Sequence, residues 1–377
     1  FIAGELRTAT GGRLVFANSD QSFASTARLL GNGEIQFGRN TPPTQIDGST
    51  GLHRVPAAAF NLSSGASVTV LDASLQIEAP GAVAFERLTL GHPLGVLAGN
   101  SILSVTQSMT WSAGTIAGGG DPGIDFDVAS TATATLPGTG LRNLTRTLDV
   151  AGTLVVEGGT LRLDGLNEIR IQSGALLRLS GSDTSTLSAG AGYFPFPLQN
   201  SGRIERQGGG ITLLSMGLQH DNELVVNAGG TLEVGDFSTG PAARFVVNGT
   251  LRHPSLLSFG GGSVEGTGTL QATVVNNLAA DFRPGGAAAG TLTVNGEYRQ
   301  QSDARLTLDL LGTGCALADR LVATAAASLA GGLTLNPAGG CTPVAPQEFL
   351  LLDATTLTGT FAGVGGIPTG YGLDYRN

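Results

Sequence analysis

Three carboxylates stand close together in the sequence beside a run of glycines. Asp121, Asp125 and Asp127 fall within seven residues and follow Gly118-Gly119-Gly120. Clusters of carboxylate oxygens are what calcium prefers, so these aspartates are a candidate metal site. Their spacing matches neither an EF-hand loop nor a repeated calcium-binding nonapeptide. In the alternative interpretation Asp121 opens an ordinary turn and the other two form the outer face of a strand. We predict that the protein folds without a metal.

The other residues that could do chemistry are scattered. His53, His92, His220 and His253 have no second histidine three or four residues away, and we interpret them as surface or loop residues. The chain contains neither the Gly-x-Ser-x-Gly motif of serine hydrolases nor the His-Glu-x-x-His motif of zinc proteases. The sequence therefore predicts no catalytic residues and no cofactor.

A short repeated sequence motif must form the scaffold that positions any functional site. A marker glycine followed by a small or polar residue and an aliphatic residue recurs at positions 202, 230, 249, 268 and 290, in steps of 28, 19, 19 and 22 residues. A period of this length predicts a solenoid, in which each unit buries its apolar face only by stacking on its neighbours.

Composition and local pattern specify the kind of solenoid. Glycine is the commonest residue, with 59 copies, only 13% of residues are charged, and no long segment shows helical spacing of apolar residues. Gly152-Thr153-Leu154 and Gly159-Thr160-Leu161 are seven residues apart, as expected for two strands of one coil joined at a corner. We therefore predict an all-β, right-handed parallel β-helix. Its inward residues include Leu154, Val156, Leu161, Leu163, Leu224, Val226, Leu232 and Val234.

Two stretches depart from the repeated pattern, and the character of the sequence changes near the C-terminus. Residues 39–56 are rich in proline and turn residues, which predicts a loop. Residues 316–329 are rich in alanine and leucine and could form a helix, but their short glycine-bounded runs favour strands. We expect residues 1–295 to form the β-helix and residues 296–377 to form a small C-terminal β cap domain.

The last part of the chain resembles a known family. The residues that carry the resemblance are 290–300, 304–308, 319–321, 327–335 and 359–361. They are similar to the segment that closes the β-helix in bacterial autotransporter passengers and related large secreted β-helix adhesins. In that family the segment caps the stack and assists its folding after export. The chain departs from the family in carrying Cys315 and Cys341 there and in having no outer-membrane barrel after Asn377. We expect the natural polypeptide to continue past Asn377.

The resemblance implies an exported protein at the cell surface or outside it. An exported bacterial chain meets an oxidising compartment, and Cys315 and Cys341 are the only two cysteines. We therefore predict that they are bonded to each other.

Net charge and hydropathy limit the classes of partner that this chain is expected to bind. The net charge of -9 and the pI near 4.9 argue against nucleic-acid binding. Residues 88–120 lack charged side chains, but polar and turn residues interrupt them, so no membrane span is predicted. The remaining expected partners are an extracellular glycan or a surface receptor, together with further copies of the chain associating end to end into an extracellular filament.

Two principal functions remain open at this point. The first is a structural or adhesive β-helix, which should have a smooth exterior. The alternative is a carbohydrate-active enzyme of the polysaccharide lyase or glycosidase type, which should gather Asp, Glu and Arg in one groove. Ice binding by a flat threonine-rich face is a third option, and it would use recurring threonines: Thr153, Thr160, Thr231, Thr250, Thr269 and Thr291.

Overall fold

The computed structural model describes residues 1–17, 19–39, 51–79, 81–118, 125–190, 195–276, 279–344 and 346–376. Contacts between Cα atoms divide the chain into two compact units, Phe1–Gly202 and Arg203–Asn377. We call them the N-terminal unit and the C-terminal unit. This division does not test the boundary expected between residues 295 and 296, which stays a prediction.

Short strands form nearly all the regular structure of the N-terminal unit. Apolar and polar residues alternate in most of them, so one side of each strand is buried and the other faces solvent. The strands are Glu5–Thr8 (β1), Arg13–Phe16 (β2), Gln21–Ser22 (β3), Arg28–Gly31 (β4), Glu34–Phe37 (β5), Gly51–Pro56 (β6), Phe60–Leu62 (β7), Ser67–Val70 (β8), Ala73–Glu78 (β9), Ala82–Leu90 (β10), Val96–Gly99 (β11), Ile102–Trp111 (β12), Gly114–Ala117 (β13), Phe126–Val128 (β14), Thr133–Leu136 (β15), Leu141–Thr145 (β16), Leu148–Val150 (β17), Thr153–Val156 (β18), Gly159–Leu163 (β19), Ile169–Ile171 (β20), Leu176–Leu179 (β21), Ser185–Ala189 (β22) and Leu198–Asn200 (β23). A short 3₁₀ helix, Ala57–Ala59, lies between β6 and β7.

Three strands make one coil, and equivalent strands of successive coils pair in parallel. For example, β17, β18 and β19 pair with β20, β21 and β22 of the next coil. We call the sheet formed by β14, β17, β20 and β23 sheet A. Each coil thus buries its apolar side against its neighbours, which is the organisation of a parallel β-solenoid.

The C-terminal unit repeats this organisation. Its strands are Arg203–Arg206 (β24), Ile211–Ser215 (β25), Leu218–His220 (β26), Glu223–Val226 (β27), Thr231–Val234 (β28), Phe237–Thr239 (β29), Arg244–Val247 (β30), Thr250–Phe259 (β31), Ser263–Gly266 (β32), Thr269–Asn276 (β33), Asp281–Pro284 (β34), Thr291–Val294 (β35), Tyr298–Gln300 (β36), Arg305–Leu311 (β37), Leu317–Ala318 (β38), Arg320–Ala323 (β39), Ala326–Leu329 (β40), Gly332–Pro337 (β41), Leu352–Asp353 (β42), Thr356–Gly359 (β43) and Gly363–Gly365 (β44). A 3₁₀ turn spans Thr313–Cys315. We call the sheet formed by β24, β27, β30, β32, β34, β37 and β41 sheet B; its strands pair in parallel. One antiparallel contact joins β37 to β38. The predicted parallel β-solenoid is confirmed.

The interior of each unit is a stack of equivalent apolar side chains. Every residue predicted to point inward is at most 2% exposed. In the C-terminal unit the stack continues through the rings of Phe245, Phe259, Phe282 and Tyr298, whose successive centroids lie 5.0, 5.5 and 5.5 Å apart. Burying one such side chain stabilises the fold by about 1.5–3 kcal/mol, so the stack accounts for the cohesion of the coils.

A polar network completes one corner of that interior. The hydroxyl of Tyr298 donates to Gln300 at 2.9 Å and accepts from the Asn276 amide at 3.2 Å. The Gln300 amide in turn donates to the carbonyls of Ala330 at 2.8 Å and Gly332 at 2.9 Å. The network therefore joins three successive coils at the positions where β33 and β36 end.

The two cysteines are bonded as predicted. Cys315 and Cys341 form a disulfide with their Cα atoms 4.5 Å apart. The bond joins the segments that follow β37 and β41, which are paired neighbours in sheet B. It therefore crosslinks two adjacent coils.

Of the two predictions made for irregular stretches, one is confirmed and one is partly wrong. Residues 316–329 form strands β38, β39 and β40, as favoured. Residues 40–50 of the predicted loop lie outside the described residues, and the prediction is wrong for Gly51–Pro56, which is strand β6. His53 and Val55 there are buried at alternate positions, so the segment pairs with β9 despite its proline. Within the described ranges, no helix has the length and apolar character needed to cross a bilayer.

Candidate functional site

A column of polar side chains runs along the outer surface of sheet A. Asp127, Asp149, Arg170 and Gln199 occupy matching positions on β14, β17, β20 and β23. Each follows a buried apolar residue and points outward because side chains alternate along a strand. Since neighbouring strands lie about 4.8 Å apart, parallel pairing brings these four side chains together.

Two more carboxylates join the column from positions two residues earlier, on the same side of their strands. Asp125 precedes β14 and Glu168 precedes β20. The Arg170 guanidinium lies 2.8 Å from Glu168, 3.4 Å from Asp149 and 3.9 Å from Asp125. The Gln199 amide donates to the other oxygen of Glu168 at 2.8 Å. We call Asp125, Asp127, Asp149, Glu168, Arg170 and Gln199 the sheet A cluster.

The carboxylates at one end of this cluster resist ionisation. Burial raises the pKa of Asp125, and the charge of Asp149 and a hydrogen bond with Asp149 raise it further. Burial also raises the pKa of Asp127, with the charges of Asp149 and Asp125 adding to the effect. The cause is partial loss of hydration combined with like charges at close range.

A buried arginine accompanies these carboxylates. Arg146 is 1% exposed, and its guanidinium donates to the carbonyl of Gly99 at 2.8 Å. Its Nε and Nη1 atoms have no hydrogen-bond partner within the described part of the chain. Burial lowers its pKa to about 10, and the charges of Asp125 and Asp127 oppose that shift. Arg146 therefore stays charged at neutral pH and offsets part of the cluster's negative charge.

The predicted site residues are only partly brought together. Asp125 and Asp127 lie in the sheet A cluster, whereas Asp121 lies outside the described residues. No three His, Cys, Asp or Glu side chains in the described ranges are arranged to hold a metal ion. The buried cation Arg146 also disfavours a second cation nearby. The described residues of this cluster therefore do not fit a calcium site.

The interpretation of the histidines as surface or loop residues is wrong for His53 and His220, which lie on strands and are both 0% exposed. His92 is buried as well, at 3% exposure, but it lies in the turn between β10 and β11. His220 packs against Phe245 with ring centroids 4.5 Å apart, and His53 packs against Phe37 at 5.3 Å. Both lie on inward strand positions, where their rings serve as packing groups.

Sequence reasoning missed Asp149, Glu168, Arg170, Gln199 and Arg146. A signal for two of them was present, because the triplets Phe126-Asp127-Val128, Leu148-Asp149-Val150 and Ile169-Arg170-Ile171 share one apolar–charged–apolar pattern. Their spacings of 22 and 21 residues match one coil each. Aligning the triplets would have placed the three charged residues in one column.

The cluster can perform proton transfer and can bind hydroxyl groups. A carboxyl group with a raised pKa can donate a proton, while an ionised neighbour accepts one. Arg170 and Gln199 present donors, and Asp149 and Glu168 present acceptors. This combination suits a polar, hydroxyl-rich ligand.

Two comparisons with known proteins identify no relative of this chain. A scan against protein-family models finds none that matches the chain, and a search of curated proteins finds no significant match.

Proposed function

We propose that this chain is a secreted or cell-surface structural and adhesive β-solenoid protein of a bacterium. The support comes from the different roles of the inward and outward side chains in each coil. Stacked apolar side chains fill the interior, and polar side chains form columns that return on the outer surface from coil to coil. Such a scaffold offers a ligand many equivalent contacts, which raises avidity without a deep pocket.

One observation carries this proposal furthest, namely the chain of ion pairs along sheet B of the C-terminal unit. Arg203 pairs with Glu223, Glu223 with Arg244, and Arg244 with Glu265. Charges that alternate from coil to coil leave little net field at this surface, and each partly exposed pair adds at most about 1 kcal/mol to stability. This pattern suits a long-lived extracellular structure better than a site that must reorganise during catalysis.

Adhesion can be tested with the purified chain. Beads coated with the protein should bind immobilised extracellular polysaccharide or cell-surface extracts, and should release no sugar fragments from them. Beads coated with the protein after heat unfolding serve as the control. Equal binding by folded and unfolded coatings would contradict adhesion through the folded surface, and so would the absence of binding.

End-to-end association is a separate part of the proposal. The outermost strand of a parallel stack has unpaired backbone groups, which can pair with another chain. Lysine, a common guard of such edges, is absent from the sequence. Unlike ends that pair would propagate into a filament. Light scattering and electron microscopy should reveal rods that lengthen as concentration rises, and particles that stay single at all concentrations would rule the filament out.

A carbohydrate-active enzyme is the second candidate, and the sheet A cluster favours it. Asp125 has a raised pKa and a hydrogen bond with Asp149, beside the cation Arg170. Glycoside cleavage requires one protonated and one ionised carboxyl group on either side of the scissile bond, about 5–9.5 Å apart, so Asp125 and Asp149 would have to separate when a sugar enters between them. Asp125 would donate the proton and Asp149 would be its ionised partner.

This second candidate predicts a product. Wild-type protein should release reducing ends or unsaturated sugars from some member of a polysaccharide panel. Asp149→Asn should lower the rate at least about 100-fold, whereas Asp183→Asn, at an exposed carboxylate between β21 and β22, should leave it unchanged. The enzyme candidate fails if no polysaccharide is cleaved or if Asp149→Asn keeps full activity.

A further inference from the structure

A depression lies on the outside of the C-terminal unit, and none of its lining residues belongs to the sheet A cluster. Its volume is about 440 Å³, and the residues that matter for its shape and charge are Arg244, Gly262, Ser263, Asp281, Asp303 and Arg305. All of them lie at or just before the starts of strands in sheet B. The depression therefore crosses several coils.

Strand register explains why a hollow forms here. Arg244, Ser263, Asp281 and Arg305 occupy one column across β30, β32, β34 and β37. The small Ser263 lies between two longer side chains, and the residue before it is a glycine. Gly262 has φ +74°, and a Cβ atom there would collide with the Ala243 carbonyl. The low floor is thus imposed by the backbone, and the arginines at either end form the rims.

The column also sets the length of the depression. Three register steps separate Arg244 from Arg305, and each step is about 4.8 Å. The two backbone positions are therefore about 14 Å apart. A ligand that lies along the whole column must therefore be an extended molecule, such as a short oligosaccharide.

The charges of the rim arginines are unequally compensated. Arg244 pairs with Glu223 and Glu265, and Arg283 pairs with Asp281 at 2.8 Å. The Arg305 guanidinium has no ion pair or side-chain hydrogen bond within the described ranges. A free guanidinium binds a carboxylate through two parallel hydrogen bonds. Arg305 therefore supplies a site for one carboxylate group.

The acidic residues decide which kind of anion fits. Asp303 is exposed at the rim, and Asp281 also lines the depression, where its carboxylate accepts hydrogen bonds from Arg283 at 2.8 Å and from the Thr307 hydroxyl at 2.9 Å. Both are acceptors and would repel a ligand that carries only negative charge. A sugar acid satisfies both requirements, because its carboxylate meets Arg305 while its hydroxyls donate to the aspartates.

We propose that this depression binds a short oligosaccharide of uronic acids, with Arg305 holding one sugar carboxylate. The inference rests on the adhesive function proposed above and names the glycan class at one site.

The test is titration calorimetry with trimers of galacturonic, mannuronic and guluronic acid. At least one trimer should bind, and its methyl ester should bind at least about tenfold more weakly, because the ester removes the charge that Arg305 recognises. Arg305→Ala should lower affinity at least about tenfold. Ser263→Trp should abolish binding by filling the floor while keeping every charge.

Arg299→Ala is the matched control, because Arg299 is exposed and pairs only with Glu297 among the described residues. It should bind like wild type. Thermal unfolding of each variant checks that the fold is intact. Absence of binding by all three trimers, equal binding of acid and ester, or wild-type affinity in Arg305→Ala would overturn the proposal.

The outcome is separable from that of the adhesion test. If coated beads bind polysaccharide while Arg305→Ala and Ser263→Trp beads bind it equally well, the uronate site is wrong and adhesion stands. If the trimers bind in solution as described but wild-type beads adhere to no surface, the site stands and adhesion is wrong.

Discussion

The guanidinium of Arg142 donates to the carbonyl of Gly158 at 3.0 Å and so joins two successive coils of the N-terminal unit. The same side chain also donates to the carbonyls of Trp111, Gly140 and Pro137. Arg142 is fully buried. Burial lowers its pKa to about 10, so it stays charged at neutral pH. A planar fork of five donors suits this ring of corner carbonyls, whereas a lysine ammonium has only three donors.

Arg142→Lys should therefore destabilise the N-terminal unit by about 1–3 kcal/mol, because at least one buried carbonyl would lose its donor. Guanidinium denaturation measures the change. Arg162→Lys is the control, since Arg162 is half exposed and pairs with Asp164 at the surface; it should cost less than about 0.5 kcal/mol. Equal midpoints for the two variants would contradict the structural role of Arg142.

His220 should make stability depend on pH. Burial lowers its pKa from 6.5 to about 4, against smaller opposing effects of the Arg244 carbonyl and nearby carboxylates. The unfolded chain therefore binds a proton between these values and the folded chain does not. The stability that neutral His220 contributes is fully present above pH 6.5 and decreases as the pH falls. Near pH 4 the free energy of unfolding should be about 3 kcal/mol lower for this reason.

His220→Gln removes this titration. Denaturation midpoints of wild type and variant should therefore diverge between pH 7 and pH 4, with the wild type losing more stability. Because every other group titrates alike in both proteins, their difference isolates His220. Parallel pH profiles would show that His220 is not buried in neutral form.

The disulfide should stabilise the C-terminal unit. Cys315 and Cys341 are 26 residues apart, and closing a loop of that size restricts the unfolded chain by about 3–4 kcal/mol in the chain-entropy model. Replacing both cysteines with serine should lower stability by that amount. Thiol titration of the unfolded, unreduced wild type should find no free thiol, and two free thiols would contradict the bond.

The buried hydroxyl of Tyr298 should matter for the same unit. Tyr298→Phe removes the acceptor of Asn276 and the donor to Gln300 while keeping the ring in the aromatic stack. We expect a loss of about 1–3 kcal/mol, because buried polar groups are left unpaired. Tyr375→Phe, at a ring that is 37% exposed, should change the unfolding free energy by less than about 0.5 kcal/mol. Similar losses in both variants would argue against the network.

The fold could be predicted because strand alternation and glycine-marked corners are local signals. Leu154 and Val156 point inward as their period of two requires. The sheet A cluster could not be predicted in full, because its members come from coils of unequal length. Only the register observed in the structure places Gln199, 29 residues after Arg170, beside it.

The burial of the arginines could not be predicted from the sequence for a different reason. In Leu141-Arg142 the leucine is 50% exposed and the arginine is buried, which inverts the expected pattern. The inversion follows from the corner carbonyls, which need donors more than the interior needs another aliphatic group. Local hydrophobicity does not report that need. His220, by contrast, could have been predicted, because it stands two residues after the inward Leu218.

The crosslink between Cys315 and Cys341 also matters when the chain is under tension. A solenoid coil holds its place only through its two neighbours, so a pulling force can unspool coils one after another. Each residue released adds about 3.4 Å of slack. The 26-residue separation enclosed by the disulfide withholds about 90 Å of that slack. A molecule tethered to a moving surface would therefore lengthen in coil-sized steps and stop lengthening at this loop until the bond is reduced.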